Sequence, residues 1–309
     1  MRFTEKNYRG HLLMVIAYTV FGLNIPAVKY VIGEAGITGL SVTFYRMAGA
    51  AALFWFASLF VRAQRVPPRD LGAIFVASLF CILLNQMPFI VGVSLTSPID
   101  ASVITTIGPM ITMVLAAAFL HEPISWLKAG GVVVGASGAL MLVLGGGALE
   151  GRGGASVVGD LLCVASSLSF AIYLTAFKRL FTTYSPVTLM RWMFLFSAVL
   201  SAPVCWHDVA TVDYVSLGWD VWATIFFIVA GATFLTFFLL PIGQRYLRPT
   251  VLSMYNYLQP TVAALVAVAA GMDTFGLTKG LATVLVFAGV WMVTRSKSRA
   301  SVSGAQLPE

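Results

Sequence analysis

The sequence predicts an all-α integral membrane protein with ten transmembrane helices, arranged as two inverted five-helix repeats with both termini in the cytoplasm. Three observations lead to this fold class: an apolar composition, the placement of basic residues between apolar runs, and an internal repeat with a spacing of 151 residues. Of 309 residues, 59% are hydrophobic and 10% are charged, whereas roughly 25% are charged in an ordinary soluble domain. Lipid is therefore the expected solvent.

Ten apolar runs are long enough to form membrane-spanning helices. A bilayer core of about 30 Å takes roughly 20 apolar residues as a helix. Backbone amides in hydrocarbon need partners within their own segment, and the runs lack the two-residue alternation of barrel strands. The predicted spans are residues 10–32, 39–61, 71–94, 98–120, 126–145, 157–180, 186–205, 219–243, 249–271 and 276–294.

Basic residues concentrate on one side of these spans. If the N-terminus is cytoplasmic, fourteen of the nineteen Lys and Arg residues fall on the inner side. The positive-inside rule then places both termini in the cytoplasm. We expect the chain to be a multi-pass protein of a bacterial-type inner membrane. Because these residues stand between apolar runs, a nucleic-acid partner is not expected. The inner set is Arg2, Lys6, Arg9, Arg62, Arg65, Arg69, Lys128, Lys178, Arg179, Arg245, Arg248, Arg295, Lys297 and Arg299.

An internal repeat relates the two halves of the chain. Adding 151 to five residue numbers in the first half gives the same or a similar residue in the second. An offset of 149 relates Lys29 to Lys178, and an offset of 145 relates Arg46 to Arg191. Such drift indicates small loop insertions within equivalent halves. The five pairs are Pro98 and Pro249, Pro109 and Pro260, Glu122 and Asp273, Lys128 and Lys279, and Gly138 and Gly289.

The number of spans in each half predicts how the halves are related. Five is odd, so the second half enters the membrane from the opposite side. Inverted repeats about an axis in the membrane plane recur in secondary transporters, which bind solute near the midplane. The predicted divisions are a first repeat at 10–145, a glycine-rich outer linker at 146–156, a second repeat at 157–295 and a cytoplasmic tail at 296–309.

Several marks occur in the same order in both halves. They are Phe21-Gly22-x-Asn24, Lys29, Arg46, Ser102, Pro109 and Glu122-Pro123 in the first half, and Lys178, Arg191, Ser253, Pro260 and Asp273 in the second. With these marks the sequence resembles the drug/metabolite transporter superfamily, specifically its ten-helix EamA-type members, over about residues 10–295. The resemblance implies export or exchange of small metabolites such as amino acids, purines or drug-like amines. The sequence departs from the repeated pattern where Ala171-Ile172-Tyr173 replaces Gly22-Leu23-Asn24.

Polar side chains within the spans are the candidates for solute binding. Polar groups in lipid-embedded helices usually face the bundle interior or a wet cavity. We expect ten of them to line one central pocket for an amphipathic organic solute, with interhelical hydrogen bonding as the alternative for each residue. They are Tyr18, Asn24, Asn85, Gln86, Ser166, Ser169, Tyr173, Tyr255, Asn256 and Gln259.

Three prolines and two arginines complete the candidate set. Pro26, Pro109 and Pro260 lie within spans, where proline removes a backbone hydrogen bond and kinks the helix. Such kinks serve either as flexing points or as static bends. Arg46 lies well inside its span, where snorkelling, carboxylate binding and capping of a helix end all remain open. Arg191 lies nearer a membrane edge and is expected to snorkel.

Other functions have weaker support from the residues. His121-Glu122-Pro123 lacks the second histidine of an HExxH zinc motif, so no metal, cofactor or enzymatic activity is predicted. A channel or receptor remains the alternative to a carrier. No acidic residue is expected in mid-membrane, which favours passive exchange or proton coupling through Asp100 near the outer edge. The spacing of Gly131 and Gly135 predicts close helix packing, within the bundle or in a homodimer.

Overall fold

The structure is a computed structural model that describes residues 5–61, 64–108, 110–112, 114–115, 126–148, 154–244, 255, 258–272 and 276–295. All regular elements in these ranges are helical. They are α1 (Glu5–Ala35), α2 (Gly39–Ala57), α3 (Pro68–Leu95), α4 (Pro98–Thr105), α5 (Trp126–Ala148), α6 (Gly154–Ala176), α7 (Lys178–Thr183), α8 (Pro186–Ala210), α9 (the continuous segments Trp219–Phe226, Phe227–Leu235 and Thr236–Gln244), α10 (Leu258–Ala269) and α11 (Leu277–Arg295).

Six of the described helices have the length and apolar character to cross a membrane. Their apolar stretches are Arg9–Gly33, Gly39–Ala57, Pro68–Leu95, Ser156–Tyr173, Pro186–Ala210 and Trp219–Leu240. Large apolar side chains such as Phe226 and Val284 are exposed on helix surfaces, as a lipid solvent permits. The all-α prediction is therefore confirmed for the described residues, whereas the count of ten spans and the side of the termini stay predictions.

Side-chain caps fix the beginning of several helices. The hydroxyl of Ser97 accepts a hydrogen bond from the backbone amide of Asp100 at 3.1 Å, and Ser185 caps α8 in the same way. In both helices a proline follows the serine at the first helical position, where its missing amide hydrogen costs nothing. The Ser-Pro pairs therefore mark where α4 and α8 begin.

Two helices end earlier than the hydropathy predicts. The predicted spans 39–61 and 157–180 end at Ala57 and Ala176. After Ala57 the backbone tightens, because the amide of Phe60 bonds to the carbonyl of Ala57 three residues back. After Ala176, Phe177 leaves the helical conformation with φ −110° and ψ 19°. Apolar residues continue past the end of α2, so hydropathy does not reveal that end, whereas Lys178 and Arg179 follow the end of α6.

Two helices contain π-helical segments that the sequence did not predict. Leu79–Leu83 interrupts α3, and Phe227–Leu235 interrupts α9. At the end of the first segment the amide of Leu84 bonds to the carbonyl of Leu79, five residues back. Extra residues inserted in this way displace the hydrogen-bond ladder and are often found at functional sites.

Corresponding helices of the two repeats pack against each other in antiparallel orientation. Along α5 the positions that face α11 rise in number while their partners fall. The successive contacts are Gly130 with Met292, Gly135 with Gly289, and Gly138 with Val286 and Ala282. Helices α2 and α8 show the same order, from Tyr45 with Tyr214, through Phe54 with Phe194 and Trp55 with Trp192, to Gln64 with Ser185.

The buried apolar side chains form two clusters. The first includes Ile25, Val42 and Ile90, and the second is built around the stacked rings of Phe54 and Phe194. The second cluster draws residues from α2, α3, α6 and α8, so it joins the two repeats. Buried polar side chains separate the two clusters along α2, where Arg46 stands between Val42 and Met47, and along α3, where Gln86 stands between Ile82 and Ile90; we call these residues the polar layer.

Candidate functional site

A buried hydrogen-bond network around Arg46 is the centre of this polar layer. Arg46, on α2, is only 3% exposed. Its Nε donates to Oε1 of Gln86 on α3 at 3.0 Å, and its Nη1 donates to Oδ1 of Asn24 on α1 at 2.9 Å. Three residues singled out from the sequence therefore meet in one network. The guanidinium does not snorkel to the membrane surface, which removes one of the alternatives for Arg46.

The network lies where two helices have interrupted backbone ladders. Pro26 lies inside α1, two residues after Asn24, and lacks the amide that would bond to the carbonyl of Gly22. On α3, Gln86 stands between the π-helical segment and Pro88, which also lies inside the helix. The kink predicted at Pro26 thus falls beside the network. Pro88 is a second proline beside the network, and it was not among the predicted kinks.

Three other candidates form interhelical hydrogen bonds between α3 and α6. Nδ2 of Asn85 donates to the backbone carbonyl of Ser166 at 3.0 Å and lies 3.1 Å from its hydroxyl. The hydroxyl of Ser169 donates to the carbonyl of Phe80 at 2.9 Å. Phe80 belongs to the π-helical segment, so Ser169 satisfies a carbonyl in the irregular part of α3. These contacts match the interhelical alternative that was left open for each residue.

Tyr173 lies in an aromatic environment. It is buried, and its ring stacks on that of Phe177 with the centroids 6.4 Å apart. The ring of Phe170 is tilted against it at a centroid distance of 5.9 Å. Its hydroxyl also contacts the thiol of Cys81 on α3. Tyr173 therefore belongs to the second apolar cluster and lies apart from the Arg46 network.

A separate aromatic group joins α1 to Tyr255. Tyr18 and Tyr255 stack with their ring centroids 6.4 Å apart. Nδ1 of His11 lies 2.5 Å from the hydroxyl of Tyr255. Tyr18 precedes Asn24 by six residues, a rise of about 9 Å along a helix. The candidates described so far thus form four groups: the Arg46 network, the α3–α6 hydrogen bonds, the ring contacts of Tyr173, and the Tyr18–Tyr255 pair.

The remaining candidates lie near α10 or outside the described residues. Gln259 is half-buried, and its backbone carbonyl approaches Gly22 on α1. Pro260 is buried and is the third residue of α10. Asn256 and Pro109 lie outside the described residues.

Arg191 differs from its counterpart Arg46. Its guanidinium carbon lies 5.1 Å from the ring centroid of Trp55 and 5.8 Å from that of Trp192. This geometry is a cation–π contact, which stabilises a charge that is only partly buried. Arg191 is held by indole rings and does not join a polar network like that of Arg46.

Two buried carboxylates, Asp100 and Asp160, lie near the predicted outer ends of their helices. Asp100 and Asp160 are 1% and 0% exposed. The hydroxyl of Thr96 donates to Oδ1 of Asp160 at 2.5 Å. Nearby, Nζ of Lys29 donates to the carbonyl of Ser94 at 3.0 Å, close to the end of α3. Hydropathy gives the distance of each residue from the end of its helix, but it does not show that neighbouring helices cover both side chains.

Two tyrosine–carboxylate contacts tie the ends of the helices together. The hydroxyl of Tyr30 donates to Asp220 in the first turn of α9, and the hydroxyl of Tyr184 donates to Asp70 in the first turn of α3. The hydrogen bond to Asp70 raises the pKa of Tyr184, because the bond favours the protonated hydroxyl over the phenolate. Both aspartates stand at the start of the third helix of their half, and this repeated position is the sequence feature that could have indicated the two contacts.

An open groove of about 420 Å³ lies beside α1. It is lined mainly by apolar side chains of α1, α9 and α10, including Leu23, Pro26, Phe227 and Val266. It does not include the candidate polar residues, so it is not the predicted pocket. Within the described ranges, no three His, Cys, Asp or Glu side chains gather as a metal site would require.

The EamA-like transporter family matches residues 8–144 and, a second time, residues 157–295. The chain belongs to the EamA-like transporter family. This chain is 22% identical over 282 residues to the uncharacterized transporter YyaM of Bacillus subtilis, covering 90% of this chain and 91% of that one. The EamA family consists of multi-pass membrane proteins, in agreement with the six apolar helices.

Two further relatives match this EamA-family protein over shorter stretches. An uncharacterized transporter of Archaeoglobus fulgidus is 26% identical over 58% of this chain and 60% of that protein. A probable terminal-alkyne amino-acid exporter of Streptantibioticus cattleyicolor is 28% identical over 56% of each chain. This chain thus spans little more than half the length of these two relatives.

One solved crystal structure of a protein has the same fold. Its TM-score is 0.62 with 18% sequence identity, over 92% of this chain and 96% of that chain. At this identity the likeness concerns the fold alone.

Proposed function

We propose that this EamA-family protein is a secondary transporter that moves a small organic metabolite, such as an amino acid, a purine or an amine-like solute, across the bacterial inner membrane. It works by alternating access between two inverted repeats and performs export or exchange. The observation that carries the proposal is the antiparallel packing of corresponding helices, α5 with α11 and α2 with α8.

The contacts between α5 and α11 support an exchangeable pair of halves. Under the offset of 151, the contacts that Gly138 makes with Ala282 and Val286 map onto those that Gly289 makes with Gly131 and Gly135. Such self-complementary packing is the signature of a twofold relation. Two halves related in this way have two equivalent arrangements, one open to each side.

The ends of the bundle support the same arrangement. Gln64 and Asp70, predicted to be inside, contact Ser185 and Tyr184, which are also predicted to be inside. On the predicted outer side, Tyr30 contacts Asp220, and Tyr45 bonds to Tyr214 at 2.9 Å. Each of these four contacts links positions assigned to the same side.

Inversion predicts that equivalent loops face opposite compartments. Arg65 and Asp213, both exposed, lie in the loops after the second helix of each half. We expect a membrane-impermeant maleimide to label Asp213→Cys in intact cells, but to label Arg65→Cys only after permeabilisation. The background lacks Cys81, Cys163 and Cys205, which are all buried. Labelling of both variants from the same side would contradict the inversion.

The transport proposal predicts solute counterflow. Proteoliposomes loaded with an unlabelled solute are expected to accumulate the labelled solute transiently, because a carrier exchanges molecules through one alternating site. A panel of amino acids, purines and amines tests the solute class, with protein-free liposomes as the control. The name of the Streptantibioticus relative supports testing amino acids first. A channel would show flux without counterflow, and that result would reject the carrier.

The glycine pair in α5 bears on the proposed homodimer. Gly131 and Gly135 both contact Gly289 of the same chain. We therefore place any dimer contact on another surface of the bundle.

A further inference from the structure

We propose that Arg46 is the counter-ion for a carboxylate group on the transported solute, with Asn24 and Gln86 holding the guanidinium in position. The inference rests on the proposed transport function and names the chemical class of its solute. Its site is the polar layer between the two apolar clusters.

The first argument is charge. Burying an ionised group is costly unless an opposite charge and hydrogen bonds compensate. Arg46 is almost fully buried, and its two hydrogen-bond partners are neutral amide oxygens. No carboxylate among the described residues pairs with it. A buried guanidinium that stays charged and has only neutral partners is suited to bind a carboxylate supplied by a solute.

The second argument is unused hydrogen-bonding capacity. A guanidinium carries five N–H donors, and two are used by Gln86 and Asn24. Because Oε1 of Gln86 accepts from Nε of Arg46, the amide nitrogen of Gln86 must point away from that bond. That Nε2 is buried and has no hydrogen-bond partner among the described residues, on a side chain only 3% exposed. Donors from two residues thus converge beside one cation, as recognition of a two-oxygen anion requires.

The third argument is location. On α2, Arg46 stands between Val42 of the first apolar cluster and Met47 of the second. The same order recurs on α3, with Ile90, Gln86 and Ile82. A charged layer between two apolar clusters stabilises neither of them. Irregular features of the backbone accompany it, with Pro26 inside α1 and the π-helical segment and Pro88 in α3, and membrane proteins tolerate such backbone where it is buried in protein or lines a water-filled cavity.

The second repeat does not reproduce this site. At an offset of 149 the position of Asn24 is taken by Tyr173, which packs among aromatic rings. Arg191, the counterpart of Arg46, rests on Trp55 and Trp192. Nε of Arg191 is also buried without a hydrogen-bond partner among the described residues, but its guanidinium lies against indole rings. The network with Asn24 and Gln86 is therefore specific to the first repeat, and we assign the carboxylate to Arg46.

The test measures binding to the purified full-length protein by tryptophan fluorescence and thermal shift. The probes are phenylacetate, L-phenylalanine and L-phenylalaninamide, which separate the carboxylate from the amine and the ring, with inorganic phosphate as another oxyanion. We expect the two carboxylates to bind at least about tenfold more tightly than the amide. Arg46→Gln should remove that preference, and Arg46→Lys should keep it with weaker binding. Arg191→Gln is the matched control and should keep the preference of the unmodified protein.

Three results would overturn the inference: an unchanged carboxylate preference in Arg46→Gln, tighter binding of phosphate than of phenylacetate, or no saturable carboxylate binding at millimolar concentrations. A folding defect in Arg46→Gln is recognised by its thermal midpoint, and Arg46→Lys then decides by keeping or losing the preference. Counterflow separates the two proposals. Carboxylate binding without counterflow rejects transport alone, whereas counterflow of amides and carboxylates at equal rates rejects the role of Arg46 alone.

Discussion

Among glycine-to-alanine substitutions in α5 and α11, Gly289→Ala is expected to lower the stability of the bundle the most. A Cβ at this position would lie 2.4 Å from the backbone nitrogen of Gly135 and 2.5 Å from the carbonyl oxygen of Gly131. Backbone atoms of a packed helix cannot rotate away as a flexible side chain can. The two helices must separate, at a cost of about 3 kcal/mol. Thermal unfolding in detergent measures the loss.

Gly72→Ala is the matched control for this prediction. Gly72 also lies in a helix, α3, but no atom lies within 4 Å of the position its Cβ would take. Alanine favours a helix over glycine by roughly 1 kcal/mol, so the control should be neutral or slightly stabilising. An unchanged midpoint for Gly289→Ala would show that α5 and α11 do not approach so closely.

Asn24→Asp is expected to separate stability from solute binding. The substitution keeps the shape of the side chain and places a carboxylate 2.9 Å from Nη1 of Arg46. The protein then carries its own counter-ion. We expect a thermal midpoint no lower than that of the unmodified protein, because the pair forms in place of a bond to a neutral amide. Binding of phenylacetate should fall at least about tenfold, because the added negative charge competes with the ligand.

The same change at a neighbouring amide provides the control. Asn85 donates to the carbonyl of Ser166, and aspartate cannot replace that donor. Asn85→Asp should therefore lower the thermal midpoint through a lost interhelical bond. Tight binding of phenylacetate by Asn24→Asp would contradict the proposed role of Arg46.

Several features of the site could be predicted from the residues. Asn24, Arg46 and Gln86 stood out because polar groups inside apolar runs are expensive in lipid. Their grouping was not predictable, because hydropathy does not tell which helix faces which. Equally polar residues had a different outcome, because Asn85 on α3 donates to the carbonyl of Ser166 and Ser169 on α6 donates to the carbonyl of Phe80.

The sequence by itself determined the helical class, the apolar character of the spans and the duplication, because apolar composition and a repeated spacing are properties of the chain order. Tertiary structure alone decided that Arg46 meets Asn24 and Gln86, that Asp160 is buried, and that α3 and α9 contain π-helical segments. The physical reason is that these features depend on contacts between helices far apart in the chain. Local periodicity shows that a helix forms, and packing then determines which of its polar groups are covered, paired or left for a solute.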